Sequence, residues 1–347
     1  MNDCGAKSKL SAPLIDLSKT GNYRYATESC GNLYAFVVER SLFLARKTGR
    51  LGLIVPHSIA ATYRSNPVQT ILYRELRAFY SYYSRRPGKL FDGADQCLCI
   101  VIGFRMGQDT PVLNASTTYR RWYTEERSSL FQTLAYEHIV GQYLLDQFCV
   151  FPKIGGHIET TILEKVRKQK ALATVMRDTG AEFFCHRISR YFIKATDFVP
   201  YFCSERDGIK SSDDFKVYYT LNPLDARTIV AALNSSLFYW FWRVMFDGYH
   251  CGKENISAFC FEQNRLQPAL SSSMEELVTK LMRSFRQNAE RTTVKYKGTG
   301  VVQYDEFRIK PSKPIIDEID CVLAQHYGFT DEELDFIINY DIKYRMG

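Results

Sequence analysis

The sequence predicts an α/β protein, and three features of its first third support that prediction. Apolar residues between Asn32 and Gly49 recur at the spacing of an amphipathic helix. A short, fully apolar run, Leu51–Val55, follows directly and ends at Pro56. A second apolar run of strand length, residues 97–104, follows another helical segment. Helices that alternate with short apolar strands are typical of a sheet covered by helices.

Length and composition restrict the class of protein. The chain has 347 residues, 46% of them hydrophobic and 24% charged, so two or three globular domains are expected. This composition excludes an intrinsically disordered chain, a collagen-like fibre and a coiled-coil rod. The most apolar run, Leu237–Trp242, is far shorter than the roughly 20 residues of a membrane-spanning helix. The polar N-terminus and ten cysteines without a Cys-x-x-Cys pair predict a cytoplasmic protein with reduced thiols and no membrane partner.

The predicted elements follow in a regular order along residues 31–122. Residues 1–30 lack periodicity and are expected to form a loop. Asn32 is a suitable N-cap for the first helix, and Gly49 is a suitable stop. The elements predicted after it are a buried parallel strand at 51–55, a helix at 68–83 with Pro67 in its first turn, and strands at 97–104 and 112–119.

Three strings in the sequence are long enough to compare with known families. The first is Asn32-Leu-Tyr-Ala-Phe-Val-Val-Glu-Arg-Ser-Leu42, continued by Gly49-Arg-Leu-Gly-Leu-Ile-Val-Pro-His-Ser58. The second is Lys89-Leu-Phe-Asp-Gly-Ala-Asp95 running into Cys97–Phe104, and the third joins Pro314–Asp320 to Tyr327–Arg345. These strings resemble TaqI-like adenine-specific DNA methyltransferases, a branch that includes fused restriction–modification enzymes and the large methyltransferases of phage-defence systems.

The resemblance implies a fold and a division of the chain. Residues 31–122 would form the second half of a Rossmann-like methyltransferase sheet, preceded by a loop at 1–30. Residues 123–310 would form a mixed α+β target-recognition domain that reads double-stranded DNA. Residues 311–347 would form an acidic helical tail, with Thr330-Asp-Glu-Glu333 as a capping box.

The chain lacks the motifs by which that family performs chemistry. The family binds S-adenosylmethionine with an FxGxG loop and positions the target amine with Asn-Pro-Pro-aromatic. The two Asn-Pro pairs of the chain, Asn66-Pro67 and Asn222-Pro223, do not continue in this way. GxGxxG and GxxxxGK[ST] loops are also absent, and the spacing of His250, Cys251 and Cys260 matches no zinc signature, so no metal is expected.

These departures leave three hypotheses for the function. The chain is the C-terminal portion of a methyltransferase, inactive without a separately encoded S-adenosylmethionine-binding half. Alternatively, it is a non-catalytic DNA specificity or interaction subunit, or an inert fragment of a truncated gene. A neighbouring reading frame ending in FxGxG and Asn-Pro-Pro-aromatic would favour the first.

Phe91 and three basic segments are the candidate sites. Phe91 precedes a strand where the family places an aromatic that stacks on the extruded adenine, although a core Phe is the alternative. His57 and Ser58 follow a predicted strand and are interpreted as loop residues. Seven cations are candidates for contact with DNA, with a solvated surface as the alternative: Lys165 and Lys168 on a helix at 158–171, Arg187, Arg190 and Lys194 on an aromatic strand at 183–194, and Arg283 and Arg286 on a helix at 275–297. Residues 227–245 are predicted to form one apolar core helix.

Overall fold

The chain folds into two units, each with its own sheets and helices. A computed structural model describes residues 25–106, 114–139, 143–145, 148–298 and 300–347. Unit 1 comprises Met1–Gly156 and unit 2 comprises His157–Gly347. The sequence predicts boundaries after residues 30, 122 and 310. The loop predicted at 1–30 and the start of the strand predicted at 112–119 fall largely outside the described residues.

Unit 1 contains a mixed five-stranded sheet, so the α/β prediction is confirmed. The sheet order is β1-β3-β2-β4-β5, with β2 and β4 parallel and the other neighbours antiparallel. Strands β6 and β7 form a separate pair. The elements are α1 Leu33–Leu44, β1 Arg50–Pro56, α2 Asn66–Glu75, β2 Leu76–Tyr83, β3 Leu98–Arg105, β4 Asn114–Arg120, β5 Glu137–Ile139, β6 Tyr143–Leu145 and β7 Phe148–Val150.

The predicted start of α1 is confirmed. The Asn32 side chain accepts a hydrogen bond from the Tyr34 backbone N–H at 3.4 Å and so caps the helix. The helix buries Glu39, whose carboxylate accepts from the backbone N–H and the hydroxyl of Thr27 at 3.0 and 2.7 Å. A buried carboxylate needs such donors, and here they connect the helix to the segment before it.

Two predictions in unit 1 are wrong. Strand β1 is antiparallel to its neighbour β3, because β3 lies between β1 and β2 and runs opposite to both. The helix predicted at 68–83 ends at Glu75, and β2 follows at once. The aromatic residues Tyr80, Tyr82 and Tyr83 of β2 are fully buried, and such side chains fit a sheet packed on both faces better than a helix.

Unit 2 combines two four-stranded sheets with a group of helices. The sheet orders are β10-β9-β13-β8 and β12-β11-β15-β14, with all pairs antiparallel. The strands are β8 Met176–Arg177, β9 Ala181–His186, β10 Ala195–Thr196, β11 Phe202–Ser204, β12 Gly208–Ile209, β13 Phe215–Thr220, β14 Ala289–Tyr296 and β15 Gly300–Phe307. The helices are α3 His157–Arg167, α4 Pro223–Asn234, α5 Ser236–Met245, α6 Lys253–Ser257, α7 Pro268–Gln287, α8 Lys313–Tyr327, α9 Asp331–Asn339 and α10 Ile342–Arg345.

Three predictions in unit 2 need correction. The core helix predicted at 227–245 is two helices that meet at Ser235, whose hydroxyl accepts from the Phe238 N–H at 2.9 Å and caps α5. The helix predicted at 275–297 ends at Gln287 and gives way to β14, whose Thr292, Thr293 and Val294 are β-branched. The strand predicted at 183–194 ends at His186.

The C-terminal segment packs into unit 2. The capping box predicted at Thr330 is present, with the Thr330 hydroxyl accepting from the Glu333 N–H at 3.2 Å. The Asp320 carboxylate accepts from the backbone N–H groups of Ser236 and Leu237, both at 3.1 Å, and thereby caps α5 from α8. Within the described part of the chain, no helix is long and apolar enough to cross a membrane.

Candidate nucleic-acid interface

Unit 2 contains a cleft with a volume of about 1260 Å³. Its walls come from β9 and β13 of one sheet, from β11 and β15 of the other, and from the loop 187–194 that joins β9 to β10. This loop contributes Arg187, Arg190 and Lys194, three of the seven cations that the sequence predicted to contact DNA.

Strand register determines which side chains form one wall. Phe202 of β11 pairs with Tyr304 of β15, and side chains at every second position share a face. Val302, Tyr304 and Glu306 therefore lie along one face of the sheet, and Tyr296 lies at the end of the neighbouring strand. Tyr304 is partly buried, whereas Tyr296 is 51% exposed. This wall thus presents the rings of Phe202, Tyr296 and Tyr304 and the Glu306 carboxylate to the cleft.

Another part of the cleft wall contains His186, the last residue of β9. Its ring meets Phe215 of β13 edge to face, with 4.9 Å between the ring centroids. Its Nδ1 lies 2.6 Å from the Ile188 carbonyl oxygen, which fixes the first turn of the loop. Burial, followed by the nearby positive charge of Lys194, lowers the pKa of His186. A neutral imidazole is therefore favoured at this position.

Lys194 is a cation of the cleft that forms no direct polar contact through its side chain within the described part of the chain. Its side chain is partly buried, and it has no hydrogen bond or ion pair with the described residues. Burial lowers the pKa of the Lys194 ammonium, and the neighbouring Glu306 carboxylate offsets part of this effect. A partly desolvated ammonium of this kind gains most from an anion that enters the cleft, such as a phosphate oxygen.

Arg345 holds the loop in place from the C-terminal segment. Its Nε donates to the Tyr191 carbonyl oxygen at 2.9 Å, and its Nη1 donates to the Ser236 hydroxyl at 3.2 Å. The guanidinium lies between the rings of Phe192 and Tyr239, at 4.5 and 4.6 Å from their centroids. The side chain is fully buried, and burial lowers its pKa. Arg345 therefore connects the loop to the start of α5.

The charge around the cleft is predominantly positive, and part of it is already neutralised. Arg187 pairs with Asp214 at 2.9 Å, and Arg308 pairs with Glu290 at 2.7 Å. The cations that line the cleft are Arg187, Arg190, Lys194, Arg308, Lys310 and Arg345, and the acids are Asp213, Asp214, Asp305 and Glu306. A surface that combines an excess of cations with exposed aromatic rings can contact phosphates and stack on bases.

The other four predicted DNA contacts lie away from this cleft. Lys165 donates to Glu333 at 2.6 Å and to the Gly328 carbonyl oxygen at 2.9 Å, so it fastens α9 to α3. Lys168 is exposed just beyond the end of α3, and Arg283 is exposed on α7. Arg286 lies 3.8 Å from Asp197, and its guanidinium stacks on Phe198 with 3.9 Å to the ring centroid. The role of these four cations stays a prediction.

In unit 1, Phe91 lies on the loop before β3 and is 42% exposed. This exposure argues against the alternative of an ordinary core Phe and leaves the ring accessible. His57 is buried, with its ring 5.8 Å from that of Tyr119, and the Ser58 hydroxyl is 3.3 Å from the Tyr34 hydroxyl. The base-stacking role of Phe91 stays a prediction.

Sequence reasoning missed Tyr296, Tyr304 and Arg308 of the cleft. A signal was present, because Tyr304-Asp-Glu-Phe-Arg308 combines aromatic and charged residues in one short segment. The helix predicted at 275–297 includes the residues of β14, so the sequence does not predict that β14 pairs with β15. Among the described residues no group of three or more His, Cys, Asp or Glu side chains could hold a metal ion.

Comparisons with known proteins give partial structural likenesses. No protein-family model and no curated protein matches the chain. The chain is similar to the type IIL restriction-modification enzyme MmeI, solved in complex with DNA, with 13% identity and a TM-score of 0.41 over 89% of this chain and 51% of that one. It is also similar to the type IIG restriction endonuclease BpuSI, with 9% identity and a TM-score of 0.30 over 94% of this chain and 51% of that one. The chain spans about half the length of both enzymes, and at these scores neither likeness establishes a shared fold.

Proposed function

We propose that this chain is the DNA-recognition portion of an adenine-specific DNA methyltransferase of a restriction–modification or phage-defence system. Unit 2 contacts double-stranded DNA through its cleft, and Phe91 of unit 1 stacks on the extruded target base. A second polypeptide binds S-adenosylmethionine. The observation that carries the proposal is that Arg190 and Lys194 of one loop line the same cleft as Tyr304, which is distant in sequence.

Phosphate contact is the part of the proposal that the cleft supports most directly. The Lys194 ammonium has no hydrogen bond or ion pair among the described residues, and partial burial makes an anionic partner more favourable there than on an open surface. The Arg187–Asp214 pair is about half exposed on both sides, so its exchange for a phosphate contact costs little. Such contacts position a duplex without selecting its sequence.

Base recognition would come from the guanidinium groups and the aromatic rings. Arg187 and Arg190 lie on the loop that borders the cleft, and arginine is the residue that most often reads guanine in the major groove. The rings of Tyr296 and Tyr304 offer stacking surfaces for bases. Arg345 anchors the backbone of this loop at the Tyr191 carbonyl oxygen.

Catalysis by the chain alone is not part of the proposal. Transfer of a methyl group to an exocyclic amine requires a bound methyl donor and polar groups that orient the nitrogen. The sequence contains neither FxGxG nor Asn-Pro-Pro-aromatic. We therefore expect no label on mixed duplex DNA after incubation of the isolated chain with tritiated S-adenosylmethionine, and clear incorporation would contradict this part of the proposal.

The test of the cleft is duplex affinity measured by fluorescence anisotropy. We expect Lys194→Ala to weaken binding about tenfold, since a hydrogen bond to a charged group contributes roughly 1.5 kcal/mol or more. Lys253→Ala is the matched control, because Lys253 is an exposed lysine of unit 2 outside the cleft. Equal affinities for wild type and the Lys194 variant would remove the cleft from the proposal.

The test of Phe91 uses a fluorescent base at the target position. With 2-aminopurine in place of the target adenine, an extruded base increases fluorescence when it leaves the stack. We expect Phe91→Ala to reduce that signal, because base–aromatic stacking contributes about 1–3 kcal/mol. Phe131→Ala, another exposed Phe of unit 1, is the control. Identical signals for wild type and the Phe91 variant would exclude the stacking role.

The second candidate is a DNA specificity subunit that has no part in methyl transfer. The lack of both catalytic motifs favours it as much as it favours a divided methyltransferase. Reconstitution separates the two hypotheses, because only a divided methyltransferase gains methylation activity when the product of a neighbouring reading frame with FxGxG is added. An inert fragment would bind no duplex at micromolar concentration.

A further inference from the structure

Strand β1 is the edge strand of the unit 1 sheet as far as the structure describes it, and the described residues leave backbone hydrogen-bonding groups on its outer edge unpaired. The His57 N–H donates to the Cys97 carbonyl oxygen, and the Arg105 N–H donates to the Gly49 carbonyl oxygen. The backbone N–H and C=O groups of odd-numbered residues of the strand therefore point toward β3, and those of even-numbered residues point toward the outer edge. The backbone groups of Gly52 and Ile54 consequently have no partner among the described residues.

One face of the sheet beside this edge is apolar and exposed. Ile54 of β1 and Ile102 and Phe104 of β3 are 52%, 56% and 40% exposed. The register pairs Gly52 with Ile102, so these three side chains share a face. A β-carbon added to Gly52 would meet nothing within 4 Å, which leaves room there for a side chain from another strand.

Helix α1, next to β1, has a second exposed apolar stripe. Leu33, Val37 and Leu44 lie at helical spacing and are 49%, 55% and 65% exposed. The opposite side of the helix buries Ala35, Val38 and Leu42. A helix that is apolar on both sides is typically covered on both sides.

Charge distinguishes between the two kinds of partner that could cover these surfaces. Arg40, Arg46, Lys47 and Arg50 are exposed around α1 and the start of β1. A second copy of this chain paired across β1 would bring the same cations together. A different polypeptide with acidic side chains at these positions would be attracted instead.

We propose that β1 accepts a strand from a different polypeptide, which extends the sheet and covers both apolar surfaces with its own apolar side chains. Acidic residues of that partner face Arg46, Lys47 and Arg50. The proposal rests on the proposed function for one point, namely that the partner is the polypeptide that supplies the missing chemistry. The surface itself belongs to unit 1 and does not depend on DNA binding by unit 2.

The experiment combines affinity purification with hydrogen–deuterium exchange. The full chain carries a tag, is expressed in its native host, and is purified with the proteins that it retains, which mass spectrometry then identifies. We expect one identified polypeptide at a 1:1 ratio. In the purified pair, amide exchange at Gly52 and Ile54 should slow by on the order of tenfold or more relative to the free chain.

Three variants make this experiment specific. Ile54→Glu and Val37→Glu each place a charge on one of the two apolar surfaces, and each should abolish retention of the partner. Because both side chains are already more than half exposed, the folded state should tolerate the charge, which circular dichroism checks. Ile209→Glu is the matched control in unit 2, where Ile209 is 76% exposed, and it should retain the partner.

Several outcomes would overturn the proposal. Partner retention by both Glu variants, protection that maps away from β1, or slow exchange at Gly52 and Ile54 in the free chain would each do so. A homodimer with protected β1 amides would replace the acidic partner with a second copy. Duplex affinity of the isolated chain tests the proposed function separately, so the two failures are distinguishable.

Discussion

Asp320 should make the stability of unit 2 depend on pH in a direction that is unusual for a carboxylate. Its side chain is buried and accepts two backbone N–H groups at the start of α5. Burial raises its pKa to about 6, and these hydrogen bonds and the positive charge of Arg345 offset part of the effect. In the unfolded chain the pKa returns to about 3.9.

The sign and the size follow from these two values. The folded state binds the proton more tightly, so the stabilisation by protonation is fully present below about pH 4 and is lost as the pH rises through about 6. A difference of about 2 units corresponds to roughly 3 kcal/mol. Asp320→Asn removes this titration, and it costs about 1 kcal/mol because an amide accepts at one of the two N–H groups only.

The assay is urea unfolding of wild type and Asp320→Asn at intervals between pH 4 and 7.5. Other groups titrate in the same range, so the informative quantity is the difference between the two free energies of unfolding at each pH. We expect the wild type to lose about 3 kcal/mol relative to the variant across this range. A difference that stays constant, or that changes in the opposite direction, would refute the reasoning.

Three further predictions concern side chains of unit 2. Arg345→Ala should lower the free energy of unfolding by about 3 kcal/mol and also weaken duplex binding, because the loop loses its anchor at Tyr191. Thermal denaturation measures the change in stability, and fluorescence anisotropy measures the change in affinity. Unchanged affinity in a folded variant would contradict the expected loss of binding. Lys165→Ala should lower the free energy of unfolding by about 1–3 kcal/mol, because Glu333 stays buried without its cation. Lys168→Ala should leave the stability unchanged, because Lys168 is exposed. Equal melting temperatures of the two variants would contradict this prediction. If both lysines also contact phosphates, as the sequence predicted, both variants should weaken binding to all duplexes alike.

Local signals in the sequence were sufficient for the elements that they define. The Asn32 cap and the Thr330–Glu333 capping box are each contained in a few residues, and both are present in the structure. The sequence predicts that the segment 76–83 continues the preceding helix, because Leu72, Leu76 and Phe79 also fit helical spacing. What decides its structure is pairing with β3 and β4, which are distant in sequence.

The sequence predicts the residues of only one wall of the cleft. Arg187, Arg190 and Lys194 stood out because cations alternate with aromatic residues in one short segment. The wall that contains Tyr304 depends on the pairing of β11 with β15, and no local pattern reveals such pairing. The bond from Lys165 to Glu333 likewise joins residues at opposite ends of unit 2, so a basic helix face in the sequence could not show that this cation is already engaged.

The salt dependence of duplex affinity tests the central claim, namely that the cleft of unit 2 binds the DNA backbone. With roughly 4–6 phosphate contacts, the slope of log K against log salt should be about −4 to −5, since each contact contributes about −0.9. Lys194→Ala should make the slope less steep by about one contact, and Glu332→Gln, an exposed change on α9, should leave it unchanged. A slope near zero, or no binding at micromolar protein, would contradict the account.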